Sequence, residues 1–130
     1  LDRAELVPAL ANGVRRAGRD PLDVLVQVSI DGDPDRGGAL AGDVVALAAS
    51  AADTGLLRPA GVMAVAPMDA DPDAAFATLQ EVAQALRSAY PEATAISAGM
   101  SADLEAAVRN GATHLRIGTA LLGGRPPLRR

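Results

Sequence analysis

Helical and strand-like segments alternate along this chain, and that alternation restricts the fold more than any single motif. Leu6, Leu10, Val14 and Ala17 recur at helical spacing, which predicts a first helix. Asp2 with Glu5 three residues later reads as a capping box, and Gly18 followed by Pro21 as the stop. The run VLVQVSI, residues 24–30, is β-branched and nearly continuous, so it predicts a strand buried on both faces. After the loop DGDPDRGG, a helix is expected over 39–53, stopping at Gly55, and a strand over 61–66. Asp71 with Pro72 behind it is a strong start for a third helix, whose inner face is Phe76, Leu79, Val82, Ala83 and Leu86. A short strand over 94–97, a helix over 102–110 capped by Ser101, a fourth strand over 113–117 and a helical turn after Thr119 complete the series.

Such an order predicts an α/β fold with about four parallel strands joined by helical crossovers. Apolar residues make up 49% of the 130, enough for one core. Phe76 and Tyr90 are the only aromatics, so that core is built from aliphatic side chains. An open four-stranded sheet fits this length. So does half of an eight-stranded barrel, since a whole one takes about 250 residues.

The last two strand–helix junctions carry the chemistry. ISAGMSADLEAA places Ser97, Gly99 and Ser101 between a strand and a helix, and HLRIGTALLGG places Gly118 and Thr119 in the same relation to the next strand. Helix starts offer unpaired N–H groups, glycine permits close approach, and hydroxyls add donors. In α/β barrels a phosphate site recurs in the loops after the last two strands. An ordinary serine cap and turn glycine explain either junction taken alone. Arg116 lies in an apolar run, on the same face as Gly118 by alternation. Buried there it needs an acceptor, either a structural aspartate or a ligand.

Other classes are weakly supported. A net charge of −4 with two aromatics gives no basic footprint and no stacking platform for nucleic acid. There is no apolar stretch of about 18 residues to cross a membrane. LDRAELVPAL does not read as a signal peptide, so the cytosol is expected. Cysteine is absent, and the lone His114 opens a strand away from the expected ligand face, so neither a metal site nor a catalytic triad is expected. Asp31, Asp33 and Asp35 suggest a calcium loop, but Arg36 occupies the position that needs glycine, so a solvated loop is expected. Met63 reads as core packing. All 12 basic residues are arginine, so no lysine of this chain can form a Schiff base.

The stretches VLVQVSIDGDPDRGG, GVMAVAP and ISAGMSADLEAAVRNGATHLRIGTALLGGR, in that order, resemble the YggS/PROSC family of pyridoxal 5′-phosphate (PLP) homeostasis proteins. The resemblance covers essentially the whole chain and is most specific from Ser97 to Arg125. It implies a (β/α)₈ TIM barrel of the alanine racemase N-terminal-domain type, of which residues 1–130 would be the C-terminal half. It also implies an intracellular PLP carrier or regulator without established turnover. By this resemblance Ser97, Gly99, Met100 and Ser101 match a phosphate-binding loop, and Gly118 and Thr119 a second one. Arg116 matches an arginine facing the pyridine nitrogen, and Met63 a position near the cofactor.

There are departures from the family pattern. The family's Schiff-base lysine lies on its first strand, while this chain reads as starting just after the fourth. Arg36 stands where the family has a lysine, and Ala98 where it often has Met. The resemblance therefore implies non-covalent PLP binding through the phosphate. It also implies open sheet edges, met by the missing N-terminal half of the barrel or by self-association. Two other readings remain: a fragment of an alanine-racemase-like PLP enzyme, and a PLP-independent module holding another phosphate ligand.

Overall fold

Three parallel strands in the order β1–β2–β3 form the spine of the chain, in a computed structural model that describes residues 1–124. They are β1 (Leu22–Gln27), β2 (Leu57–Met63) and β3 (Ala95–Ser97). The helices are α1 (Leu6–Ala17), α2 (Val44–Ala52), α3 (Pro72–Ala89), α4 (Leu104–Arg109) and the short α5 (Thr119–Leu122). The expected α/β alternation is present, and no helix of the described residues is long and apolar enough to cross a membrane.

Register explains which side chains meet. Val26, Val62 and Ile96 lie in one row across the sheet, and Gln27, Met63 and Ser97 in the next. Successive residues point to opposite faces, so the first row faces the helices and is buried. It packs with Phe76, Leu79 and Leu86 of α3 and Val44 of α2, all at or near zero exposure. The other face is more open: Leu25, Gln27 and Met63 are half-buried. The expectation of a strand buried on both faces is therefore corrected. Among the described residues no second layer covers the inner face of β1.

The fourth strand expected over 113–117 reduces to one bridge, Ser97 with His114. The cause is local. The Thr113 hydroxyl takes the Ile96 N–H at 2.8 Å, and the Ile96 carbonyl receives the N–H groups of both Thr113 and His114. A side chain has replaced a rung of the ladder. The segment still runs beside β3, because Ala98 N–H reaches His114 O and Arg116 N–H reaches Gly99 O.

Element boundaries differ from expectation for similar reasons. β1 ends at Gln27, and beyond it Val28 faces Ala39 in an isolated bridge, with Ala39 N–H donating to Gln27 O and Ser29 N–H to Ala39 O. That pairing holds Ala39 and Leu40 extended, so a 3₁₀ turn over Ala41–Asp43 precedes α2. Leu1 also meets the outer edge of β1, through Leu25 O and Gln27 N. β2 begins earlier than expected and passes through Pro59. It tolerates proline because β3 reaches β2 only at Gly61, and a bulge between Pro59 and Gly61 absorbs the offset.

The Asp2–Glu5 capping box does not form: Glu5 is the cap position without a side-chain bond, and Asp2 pairs with Arg3. The buried stripe of α1 is Val7, Ala11 and Val14, with Leu10 packed at its margin. Gly18 closes this helix in a left-handed conformation, as expected. Asp71 caps α3 by accepting from Asp73 N–H at 3.1 Å. Asp73 in turn pairs with Arg109 and Asn110, fastening the start of α3 to the end of α4.

Gly61 has φ +153°, and a Cβ there would collide with the Ala95 carbonyl of the adjacent strand. Gly61→Ala is expected to destabilise the chain by about 2–3 kcal/mol in urea unfolding, through strain and loss of the β2–β3 contact. Gly13→Ala, in α1 with open space around it, is expected instead to stabilise by roughly 0.5–1 kcal/mol.

Candidate functional site

The C-terminal ends of β2, β3 and the 113–117 segment gather the polar groups that the sequence singles out. The centre of this cluster is Arg116, which is half-buried. Its Nη1 donates to the Ser97 carbonyl and to Ser97 Oγ, both at 2.9 Å, and its Nη2 donates to the Ala64 carbonyl at 3.0 Å. No carboxylate pairs with it among the described residues. The aspartate partner expected as one explanation is therefore not what holds it. Neutral oxygens orient the guanidinium and leave its charge uncompensated. At least two of its five N–H groups lack an acceptor among the described residues.

Ser97 is nearly buried at 6% exposure. Its hydroxyl accepts from Arg116 and so sits at the edge of the guanidinium. Gly99 has φ +89°, and a Cβ there would press on Ala107 and Leu115. That tightness lets the chain turn sharply into the loop of Met100 and Ser101. Ser101 was expected to cap α4, but Asp103 occupies the cap position, and its carboxylate accepts Met100 N–H at 2.7 Å. Freed from that role, the Ser101 hydroxyl accepts from Ala120 N–H at 3.1 Å. This bond joins the two loops predicted to act together. Gly118 and Thr119 open α5 beside it, with Thr119 exposed. Met63 closes β2 in the same row as Ser97.

A second arginine completes the rim. Arg36 pairs with Asp31 at 2.9 Å and donates to Val65 O at 3.0 Å and Ala66 O at 3.4 Å. Consecutive carbonyls at the end of β2 are thus taken by two arginines from opposite sides, Ala64 by Arg116 and the next two by Arg36. A cavity of about 230 Å³ lies under Arg36, lined by Gln27, Ser29, Asp31 and Val65 among others. Desolvation pushes the Asp31 carboxyl up, but bonds from backbone N–H groups and the Arg36 guanidinium outweigh it, and the group is held below the usual carboxylate range. The aspartates of this loop turn on their own backbone, Asp33 N–H to Asp31 and Asp35 N–H to Asp33. No group of three metal-ligating side chains occurs among the described residues.

His114 is exposed, with Nδ1 at 2.7 Å from Thr113 Oγ1. Sequence reasoning missed the Arg36 strap and the Ser101–Ala120 link. Asp31 five residues before Arg36 is a faint signal for the first. The second has none, since its donor is main chain. Arg125 lies outside the described residues.

Parallel strands with polar loops and a carbonyl-held guanidinium at their C-terminal ends fit part of a barrel-type α/β fold. The chain belongs to the alanine racemase N-terminal domain family, whose model matches residues 1–126. It is 48% identical over 128 residues to a protein of Mycobacterium tuberculosis named pyridoxal phosphate homeostasis protein, covering 96% of this chain and 48% of that one. Among solved structures it is similar to PipY of Synechococcus elongatus with PLP bound: 30% identity, TM-score 0.82, 95% of this chain and 58% of that one. It is also similar to D-threonine aldolase of Filomicrobium marinum, at 25% identity and TM-score 0.75, over 92% of this chain and 35% of that one. The chain thus spans about half the length of the curated relatives it matches.

The Asp31–Arg36 strap gives a pH prediction. A carboxyl lowered in the folded state stabilises above its unfolded value, about 3.9, and loses that contribution as pH falls through the folded value. Amide exchange in residues 31–38 is expected to stay slow at neutral pH and to accelerate below about pH 4, beyond the intrinsic pH dependence of exchange. Asp31→Asn is expected to remove that extra acceleration.

Proposed function

We propose that this chain binds PLP non-covalently at the ends of β2, β3 and the 113–117 segment, and serves PLP homeostasis as the C-terminal half of a family barrel. The observation that carries the reading is the Arg116 guanidinium, held by Ala64 and Ser97 oxygens with no carboxylate partner among the described residues. A cation so placed suits a ligand that is rich in electrons and anionic. The names of the relatives and the PLP in PipY support the choice of ligand.

In this reading Ser101, Gly118, Thr119 and the turn backbone hold the phosphate, with Gly99 and Met100 shaping the approach. Arg116 faces the pyridine nitrogen, and Met63 lies along the ring. PLP, when bound, supplies an electrophilic aldehyde and an electron-accepting ring. A guanidinium beside the ring nitrogen disfavours its protonation and so weakens the ring as an electron sink. That suits binding, or racemase-like chemistry, better than transaminase-like chemistry. The chain has no lysine, so it holds PLP without a covalent bond of its own through that side chain.

The likeness to D-threonine aldolase favours one other reading, a PLP enzyme whose remaining groups lie in the other half of a barrel. Consumption of D-threonine or L-alanine by this chain paired with an N-terminal half would support it.

Titration by fluorescence separates ligand from coincidence. PLP is expected to bind, pyridoxal without phosphate to bind at least tenfold more weakly, and Ser101→Ala with Thr119→Ala to remove most of that difference. Equal binding of both ligands would contradict the phosphate assignment.

The sheet is half-covered, and Leu115, Leu121 and Leu122 are exposed at 40%, 77% and 87%. We propose that an N-terminal half barrel, or otherwise a second copy, covers these surfaces. Sedimentation is expected to show self-association of the chain alone and a one-to-one complex when an N-terminal half is added. A stable monomer unchanged by that addition would count against this.

A further inference from the structure

We propose that Ser97 is a positioning residue for Arg116 and not a ligand of the phosphate. The inference rests on the reading of Arg116 as the residue that meets the ring of bound PLP. Three acceptors fix the guanidinium plane, and Ser97 supplies two of them, its carbonyl and its hydroxyl. The third is the Ala64 carbonyl on the neighbouring strand. Of the three, the Ser97 hydroxyl is the only one that belongs to a side chain.

The two serines of the loop serve different ends. Ser101 lies past the Gly99 turn and meets the N–H of Ala120, at the junction assigned to phosphate. Ser97 lies before that turn, at the end of β3, nearly buried and at the edge of the guanidinium. An arginine side chain has several soft rotations, and an aligned one depends on acceptors set by rigid elements. β3 supplies such a platform: its backbone is paired with β2 at Ile96 and Ser97. A neutral hydroxyl orients the cation without neutralising it, as a carboxylate would. This matters if the charge is to act on a ligand.

The proposal is tested in two ways, with Ser97→Ala and the conservative Ser97→Thr. Nitrogen-15 NMR of the Arg116 side chain in the ligand-free chain is expected to show hindered rotation of the guanidinium in wild type and Ser97→Thr. Ser97→Ala should release it. Unchanged Arg116 signals in Ser97→Ala would overturn the proposal. In binding, Ser97→Ala is expected to weaken PLP and pyridoxal by the same factor, about fivefold, and to add nothing in an Arg116→Leu background. A loss confined to PLP, or one that persists without Arg116, would make Ser97 a phosphate ligand and also overturn it. If wild type binds neither compound, the PLP reading fails, and the NMR result alone decides whether Ser97 positions Arg116.

Discussion

The site depends on one guanidinium being held by neutral oxygens. Arg116 spans the ends of β2 and β3 through the Ala64 carbonyl and both oxygens of Ser97. A half-buried cation such as Arg116, with no counter-ion among the described residues, is costly unless hydrogen bonds replace lost water. Here three do so, and they also lock the separation of the two strands. The same bonds that stabilise the sheet's end therefore leave a positive charge available to a ligand.

That arrangement requires a sheet with two unlike faces. Val26, Val62 and Ile96 bury one face against α2 and α3, which supplies the hydrophobic stabilisation. The inner face is then free to carry Gln27, Met63, Ser97 and Arg116. Gly61 allows β3 to approach β2 closely enough for Ser97 and Ala64 to share one guanidinium. Past the strand ends, Gly99 turns the chain so that Ser101 meets Ala120. Core packing, backbone freedom and charge placement thus converge on a single rim.

Much of this architecture was legible in the residues. Continuous β-branched runs announced parallel strands, and Asp71–Pro72 announced α3. The failures share a cause: main-chain partners leave no trace in side-chain spacing. Arg116 left an aspartate or a ligand open as its partner, whereas two of its three acceptors are the carbonyls of Ser97 and Ala64, far away in sequence. Thr113 looked like a good strand residue, yet its hydroxyl takes the Ile96 N–H and interrupts the fourth strand. Ser101 looked like a helix cap until Asp103, two residues on, took the Met100 N–H and left it free. Pro59 hid the first half of β2, since proline opposes a strand assignment when its neighbours are unknown. The candidate site residues came from junction chemistry and family resemblance together. Their convergence on one rim could be anticipated from topology, but the bonds among them could not.

The central claim is that the rim around Arg116, Ser101 and Gly118–Thr119 receives PLP. Chemical-shift mapping of backbone amides during addition of PLP tests it most directly. The account predicts saturable shifts centred on residues 99–101 and 116–120, with the amides of the opposite end, around Arg58 and Tyr90, unmoved. Shifts confined to that opposite end, or none at PLP concentrations well above those of the protein, would contradict it.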